Sequence, residues 1–408
     1  MNRERMPDAH LSGVLCEALI SLCGSFGRVS AGSACTAGPS TWRDELWRLA
    51  DEHDLTGLLW ASQGQCRAAA TNPDGLIGTL KRSYLLQIAS NTWVLAQLEE
   101  IANAFTAHGV RLVALKGAAA LLWLYDDIGC RSLSDIDLLV EERAVPEVRR
   151  IMEGLGYFQQ GAYCSPEDEF LCIRGSHLLP YMRPGCLSVE IHGAILAGRG
   201  KDAQAVAESW ASSVPVPCGH ARLWRLCPAH FLLHAAAHFM KHLTVDGFAP
   251  LKGMADMILL LNKCGSEMDW PAFWRTADRW GIASEVATIM ATLTRHWGLE
   301  IPVIPAHAVP IPARLLGRGR EKRAQYAAAM IPRYYVQRLL RARELPGLFP
   351  RLRYLYRILF PLPSNLRYRY HLPDGAELTP YYLLHPLTIV GRFIRGLAAM
   401  IWMQFSRS

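Results

Sequence analysis

The chain lacks any uncharged apolar run of about eighteen residues or more, so no transmembrane helix is expected. It also lacks a Cys-x-x-Cys pair, although it contains 11 cysteines. An odd number of thiols, scattered through apolar stretches (Cys16, Cys23, Cys130, Cys172), speaks against a disulfide framework and for reduced cysteines in a cytoplasmic protein. The grouping with some likeness to a zinc site, Cys218-Gly-His220 with Cys227-Pro-Ala-His230, is spaced more tightly than finger ligands and is set aside. No secretory leader is read at the start, because the apolar run at residues 14–23 is broken by Glu17. Internal repeats and low-complexity segments are missing as well. Charge is scarce, at 19% of residues against 51% hydrophobic, which excludes a disordered chain and leaves a sizeable core for 408 residues. The net charge of +7 is modest for this length and argues only weakly for an anionic ligand or surface patch.

What is present concentrates between residues 110 and 140. Residues 110–115 form a β-branched and aliphatic run that ends at Lys116-Gly117, where the chain must turn. Residues 118–125 are good helix formers, rich in Ala and Leu. Residues 135–140 read as a second strand that opens with Asp135 and Asp137. Alternate residues of a strand share a face, so the two carboxylates project together and need a counter-charge. Mg²⁺, a hard ion held by carboxylates and substrate phosphates, supplies one. Residues 187–192 follow a Pro184-Gly185 turn and alternate in character. Leu187, Val189 and Ile191 take one face; Ser188, Glu190 and His192 take the other.

Leu115-Lys116-Gly117, then Tyr125-Asp126-Asp127-Ile128-Gly129-Cys130-Arg131, then Asp135-Ile136-Asp137-Leu138-Leu139-Val140, and finally Val189-Glu190-Ile191-His192 resemble the signature of a bacterial family. It is the "uncharacterised nucleotidyltransferase" family of the DNA polymerase β-like nucleotidyltransferase superfamily. The turn departs from the superfamily's usual Gly-Ser: here it is Gly117-Ala118, with Lys116 in front. The resemblance implies an α+β fold, a small mixed polymerase β-like sheet with helices, flanked by N- and C-terminal helical regions. It implies transfer of a nucleoside monophosphate from an NTP, ATP by default, to a hydroxyl or phosphate of a small molecule, peptide or protein. Pyrophosphate would leave, by a two-metal mechanism using Mg²⁺ or Mn²⁺. Asp135, Asp137 and Glu190 would be the catalytic metal ligands, with Glu190 also a base for the acceptor. Lys116, Gly117 and Arg131 would hold the triphosphate, the lysine at a helix N-terminus and the arginine as a fork. Ser132 and Ser134 would hydrogen-bond in the loop, His192 would neighbour the metal site, and His238 would face the cleft.

Four regions are expected. Residues 1–107 form an N-terminal helical lobe, with a short helix at 11–26, a Ser/Gly-rich linker at 30–40, an amphipathic stretch at 42–61 and a long helix at 76–107 closed by Gly109. Residues 108–225 form the catalytic core, where a helix at 145–155 precedes a β-rich stretch containing 169–173 and 177–182. Residues 226–300 form a helical lobe. There His230, His234, His238 and His242 recur at four-residue spacing, and Asp256 lies on the following helix. Residues 301–408 comprise a Pro-rich linker at 301–312 and a basic, tyrosine-rich helical tail.

Two rival readings use these features. A metal-dependent phosphohydrolase would centre on His234, His238 and Asp256, whereas partly buried core histidines are the simpler account. A non-catalytic protein would bind NTP without turnover. The basic tail is read as solvated helix faces rather than a nucleic-acid surface. The last helix, with Arg392 and Arg395 on one side, is read as packing back on the protein, peripheral membrane contact being the other option.

Overall fold

The computed structural model describes residues 47–62, 76–196, 202–316, 336 and 338–405. The helix expected at 11–26, the linker at 30–40 and the first residues of the 42–61 stretch lie outside them. Helix α1 (Thr56–Ser62) precedes α2 (Leu76–Ala107), which has the expected bounds and runs out at Gly109, left-handed at φ 69. Strand β1 is short, Val113–Ala114, because the chain enters α3 (Lys116–Trp123) directly at the lysine. Strand β2 (Asp135–Leu139) and helix α4 (Val145–Gly154) follow, then β3 (Phe158–Gln159).

Residues 169–173, expected as strand, lie instead in helix α5 (Pro166–Gly175). The reason is local. The Ser165 hydroxyl accepts the Asp168 N–H at 3.2 Å, Pro166 sits in the first turn, and Glu167, Asp168 and Glu169 crowd the positive end of the helix dipole. These start signals outweigh the apolar run Phe170-Leu171-Cys172-Ile173 that suggested a strand.

The next elements are β4 (Tyr181–Met182), β5 (Ser188–His192), α6 (Asp202–Ser212), β6 (Val214–Cys218) and β7 (Ala221–Arg225). The seven strands form one mixed sheet in the order β3-β4-β5-β2-β1-β7-β6. The β6–β7 hairpin turns at Gly219, whose φ of 55 suits glycine. Strand β6 carries Pro215 and Pro217, tolerated because it lies at the sheet edge. Strands β2 and β5 run parallel at the centre, pairing Asp135 with Ser188, Asp137 with Glu190 and Leu139 with His192.

From there the chain is helical: α7 (Pro228–Lys241) with proline in its first turn, a π-helical turn at His242–Asp246, then α8 (Lys252–Cys264), α9 (Trp270–Trp280) and α10 (Ala283–Trp297). One hydrophobic core runs from Leu49 through the sheet to Leu316. A smaller one joins Leu171 of α5 to Tyr354 and Ile358 of α11 (Leu348–Leu359) and to Ile389. After α12 (Pro363–Tyr370), Ile389 belongs to α13 (Thr379–Phe405), so the final helix packs back along one side. The seven cysteines among the described residues form no disulfide.

Candidate active site

Parallel pairing of β2 with β5 settles which side chains meet. Residues opposed across a parallel ladder point to the same face, so Asp137 and Glu190 stand side by side, with Asp135 two residues back on that face. Alternation sends Ile136, Leu138, Val189 and Ile191 into the core, which fixes the register and holds the acids outward. Asp137, Glu190 and His192 each offer a ligand atom within 4.8 Å of the others, and no other such cluster exists among the described residues. The cluster differs from the expected trio in one member. His192 joins Asp137 and Glu190, while Asp135 lies outside the cluster, half-buried and accepting the Ser134 hydroxyl at 3.0 Å.

Asp137 is the hub. Its Oδ1 receives Lys116 Nζ at 2.7 Å and faces His192 Nε2 at 2.7 Å, and His192 Nε2 also lies 3.5 Å from Glu190. Burial alone would raise the Asp137 carboxyl. The Lys116 charge and the His192 hydrogen bond overcome that and hold it well below the usual carboxylate range. Glu190 is likewise held low against its burial, by His192 and His177. Asp135 has no such cation in contact, and burial together with repulsion from Asp137 pushes it up. Burial opposes the Lys116 charge, but Asp137, Glu190 and Asp135 more than compensate and raise it.

Lys116 reaches Asp137 from a strained backbone. Its φ is 46, left-handed in a residue with a side chain, at the corner between β1 and α3. The next residue, Gly117, lies close to two side chains. A Cβ on Gly117 would lie 2.5 Å from Leu133 Cδ2 and 3.2 Å from Arg131 Nη2. No side chain caps the N-terminus of α3, so its first amides are unclaimed by a cap.

Arg131 departs from expectation. It was expected to fork phosphate oxygens, yet its guanidinium is committed to Asp256, with Nε on Oδ1 at 2.8 Å and Nη2 on Oδ2 at 2.8 Å. A further N–H goes to the Ser132 carbonyl, and the pair is buried at 6% and 4% exposure. Tyr125 donates to the same Asp256 oxygen at 2.8 Å, and Asn91 holds the Arg131 carbonyl at 2.7 Å. Arg131 therefore braces the loop ahead of β2 against α8. The same pair removes Asp256 from the histidines of α7, against the phosphohydrolase reading. His234 instead bonds the Ile195 carbonyl through Nδ1 at 2.7 Å, and His238 meets His242 Nε2 at 3.0 Å, with His242 in turn on Asp246. His230 is turned away, toward Ser212 at 2.9 Å. Burial, then the Lys116 charge, keeps His234 and His238 neutral, His234 down to about 3.

All ten residues singled out in the sequence line one cavity of about 610 Å³: Lys116, Gly117, Arg131, Ser132, Ser134, Asp135, Asp137, Glu190, His192 and His238. The structure adds Lys241 and Lys252, which the sequence reading missed. Lys252 pairs with Asp54 at 3.0 Å; no carboxylate among the described residues pairs with Lys241. Burial and nearby cations (Lys116 for Lys241, Arg131 for Lys252) lower both amines. Only their position near the end of α7 and the start of α8 could have marked them.

Four cations (Lys116, Arg131, Lys241 and Lys252) and five carboxylates (Asp54, Asp135, Asp137, Glu190 and Asp256) thus line one cavity on a mixed sheet. Residues 39–298 match the family described as "uncharacterised nucleotidyltransferase", and the chain belongs to that family. Among solved structures, the antibiotic-resistance factor ANT(2'')-Ia is similar, at 15% identity and a TM-score of 0.32 over 50% of this chain and 95% of that one. No curated protein matches the chain.

Proposed function

We propose that this protein moves a nucleoside monophosphate from an NTP, ATP by default, to a hydroxyl or phosphate of an acceptor, releasing pyrophosphate. The observation that carries the reading is the direct opposition of Asp137 and Glu190 on neighbouring parallel strands, beside the Lys116 corner. Two carboxylates and an imidazole fit a divalent cation, with Asp137, Glu190 and His192 as holders and Asp135 alongside. Oxygen ligands suit Mg²⁺, and the imidazole makes Mn²⁺ equally acceptable. When bound, such ions supply neutralisation of charge building on the phosphates and on the attacking oxygen.

The chain's own groups do the remaining work. Lys116 exchanges its Asp137 contact for the terminal phosphates, and the first amides of α3 bind phosphate oxygens. Lys241 and Lys252 extend that cationic wall, in place of the guanidinium that Asp256 occupies. Glu190 accepts the proton of the acceptor hydroxyl. Arg131 is a positioning residue, which holds Ser132, Ser134 and the start of β2 in place.

The test is incubation of the protein with α-labelled NTPs and cell extract, following which molecule acquires label. Transfer predicts labelled acceptor and free pyrophosphate, both lost in Asp137→Asn. A binding protein would retain NTP and release no pyrophosphate. A phosphohydrolase would release phosphate in a manner that survives Asp137→Asn and fails in His238→Ala.

A further inference from the structure

We infer that helices α11 and α13 form a platform that lies on the surface of an anionic lipid bilayer. Both helices bury one side in the small second core, through Tyr354 and Ile358 on α11 and His385 and Ile389 on α13. Their other sides are apolar and open to solvent. On α13, Leu383, Leu387, Val390 and Ile394 follow one another at four- and three-residue steps, a single stripe on a helix, with Leu383 73% and Leu387 68% exposed. On α11, Leu348, Leu352, Tyr356 and Leu359 repeat the pattern, with Phe349 beside them at 72%. Of the 21 exposed large hydrophobic residues among those described, 14 lie from Val336 onward. Such a concentration marks an interaction surface rather than scattered exposure.

Charge identifies the occupant. From residue 338 to 405 the sequence holds 10 Lys and Arg against 3 Asp and Glu, a local excess of positive charge. Arg395 is exposed on α13 about a third of a turn from its stripe, whereas Arg392 is exposed on the side of His385, and Arg343 and Arg351 are exposed near the stripe of α11. An apolar stripe edged by arginines suits acyl chains below and phosphate headgroups around. A second copy of this surface would set arginines against arginines, and a nucleic acid would leave the leucines in water. The helices lie on the bilayer rather than cross it. Among the described residues no helix is long and apolar enough to span, and α13 carries two arginines and the internal Pro386. The platform is fastened to the catalytic sheet through α5: Arg353 pairs with Glu167, Arg338 with Asp168 at 2.6 Å, and the Leu362 amide bonds the Cys164 carbonyl at 3.1 Å. Docking therefore holds the whole catalytic unit at the membrane, whatever reaction it performs.

The test is co-sedimentation of the full chain with vesicles of phosphatidylcholine alone and of phosphatidylcholine with phosphatidylglycerol. The protein should pellet with the anionic vesicles and stay in the supernatant with the neutral ones, and added salt should weaken the binding. Leu387→Glu with Ile394→Glu should cost about tenfold or more in partitioning, since one buried leucine exceeds the 1.4 kcal/mol that corresponds to tenfold. Arg343→Glu with Arg395→Glu should give a comparable loss without touching the stripe, and its unchanged melting temperature separates lost binding from lost folding. Absence of binding to anionic vesicles, binding indifferent to both pairs of substitutions, or a stable dimer that Leu387→Glu dissociates would each overturn the proposal.

Discussion

Replacing Asp256 by Asn tests the internal logic of the site without touching its reactive face. In the native chain both Asp256 oxygens accept from the Arg131 guanidinium at 2.8 Å, and Tyr125 adds a third hydrogen bond at 2.8 Å. Arg131 has no second carboxylate in contact and is almost fully buried. An asparagine keeps the shape but removes the charge, and it turns an NH₂ toward one of the arginine donors. Removing one partner of a buried ion pair costs about 3–5 kcal/mol, because the remaining charge is left uncompensated. Against a total of about 5–15 kcal/mol for a folded protein, that is a large fraction. Urea unfolding followed by fluorescence of the tryptophans should show the midpoint falling with the slope unchanged. The double variant Arg131→Met with Asp256→Leu should recover most of the loss, since two apolar groups replace two desolvated charges. A drop below about 1 kcal/mol in Asp256→Asn, together with loss of a metal-dependent phosphatase activity, would refute the structural role and favour a hydrolase.

Three further outcomes follow from the same geometry. Lys116 loses its ion pair in both Lys116→Ala and Lys116→Gly, but only glycine relieves the left-handed backbone, so Lys116→Gly should be the more stable by about 1 kcal/mol in thermal or chemical unfolding. Gly117→Ala should lower stability by about 1–3 kcal/mol and reduce turnover, because the new methyl displaces Leu133 and crowds Arg131; wild-type melting with normal kinetics would contradict this. Neutral His234 makes stability fall with acid. The unfolded chain takes up this proton below pH 6.5 while the folded chain resists it to about pH 3, so its contribution is complete above pH 6.5 and drains as pH falls through that window. Between pH 7 and 5 His234 should account for about 2 kcal/mol of the loss, so His234→Gln should reduce the loss by that amount.

The sequence disclosed the parts of this protein that depend on short-range pattern. Alternation in Ser188-Val189-Glu190-Ile191-His192 and in Asp135-Ile136-Asp137 placed the acids on one face, and each hydrophobic partner indeed points into the core. Helix α2 was legible from its period and from Gly109. Features set by distant partners were not. The Arg131–Asp256 pair joins residues 125 positions apart, and nothing near Arg131 announces that its guanidinium is already claimed. Lys241 and Lys252 resemble any helical lysines until the fold turns them toward the cavity. Helix α5 was misread because hydrophobic content was weighed above the Ser165-Pro166 start, and the β6–β7 hairpin was passed over because its prolines mask an edge strand. The burial of Asp137 under both Lys116 and His192 also changes how it should be probed. Truncation to alanine would strand both partners, so the isosteric asparagine is the cleaner substitution.

The central claim is that nucleotidyl transfer occurs where Asp137 faces Glu190. Its most direct measurement is the rate of NTP-dependent pyrophosphate release in Glu190→Gln compared with the unaltered protein and with His238→Ala. The account predicts that Glu190→Gln loses about a thousandfold, some 4 kcal/mol of transition-state stabilisation, with its melting temperature preserved. Release that persists in Glu190→Gln and vanishes in His238→Ala would contradict it and move the chemistry to the histidine helix.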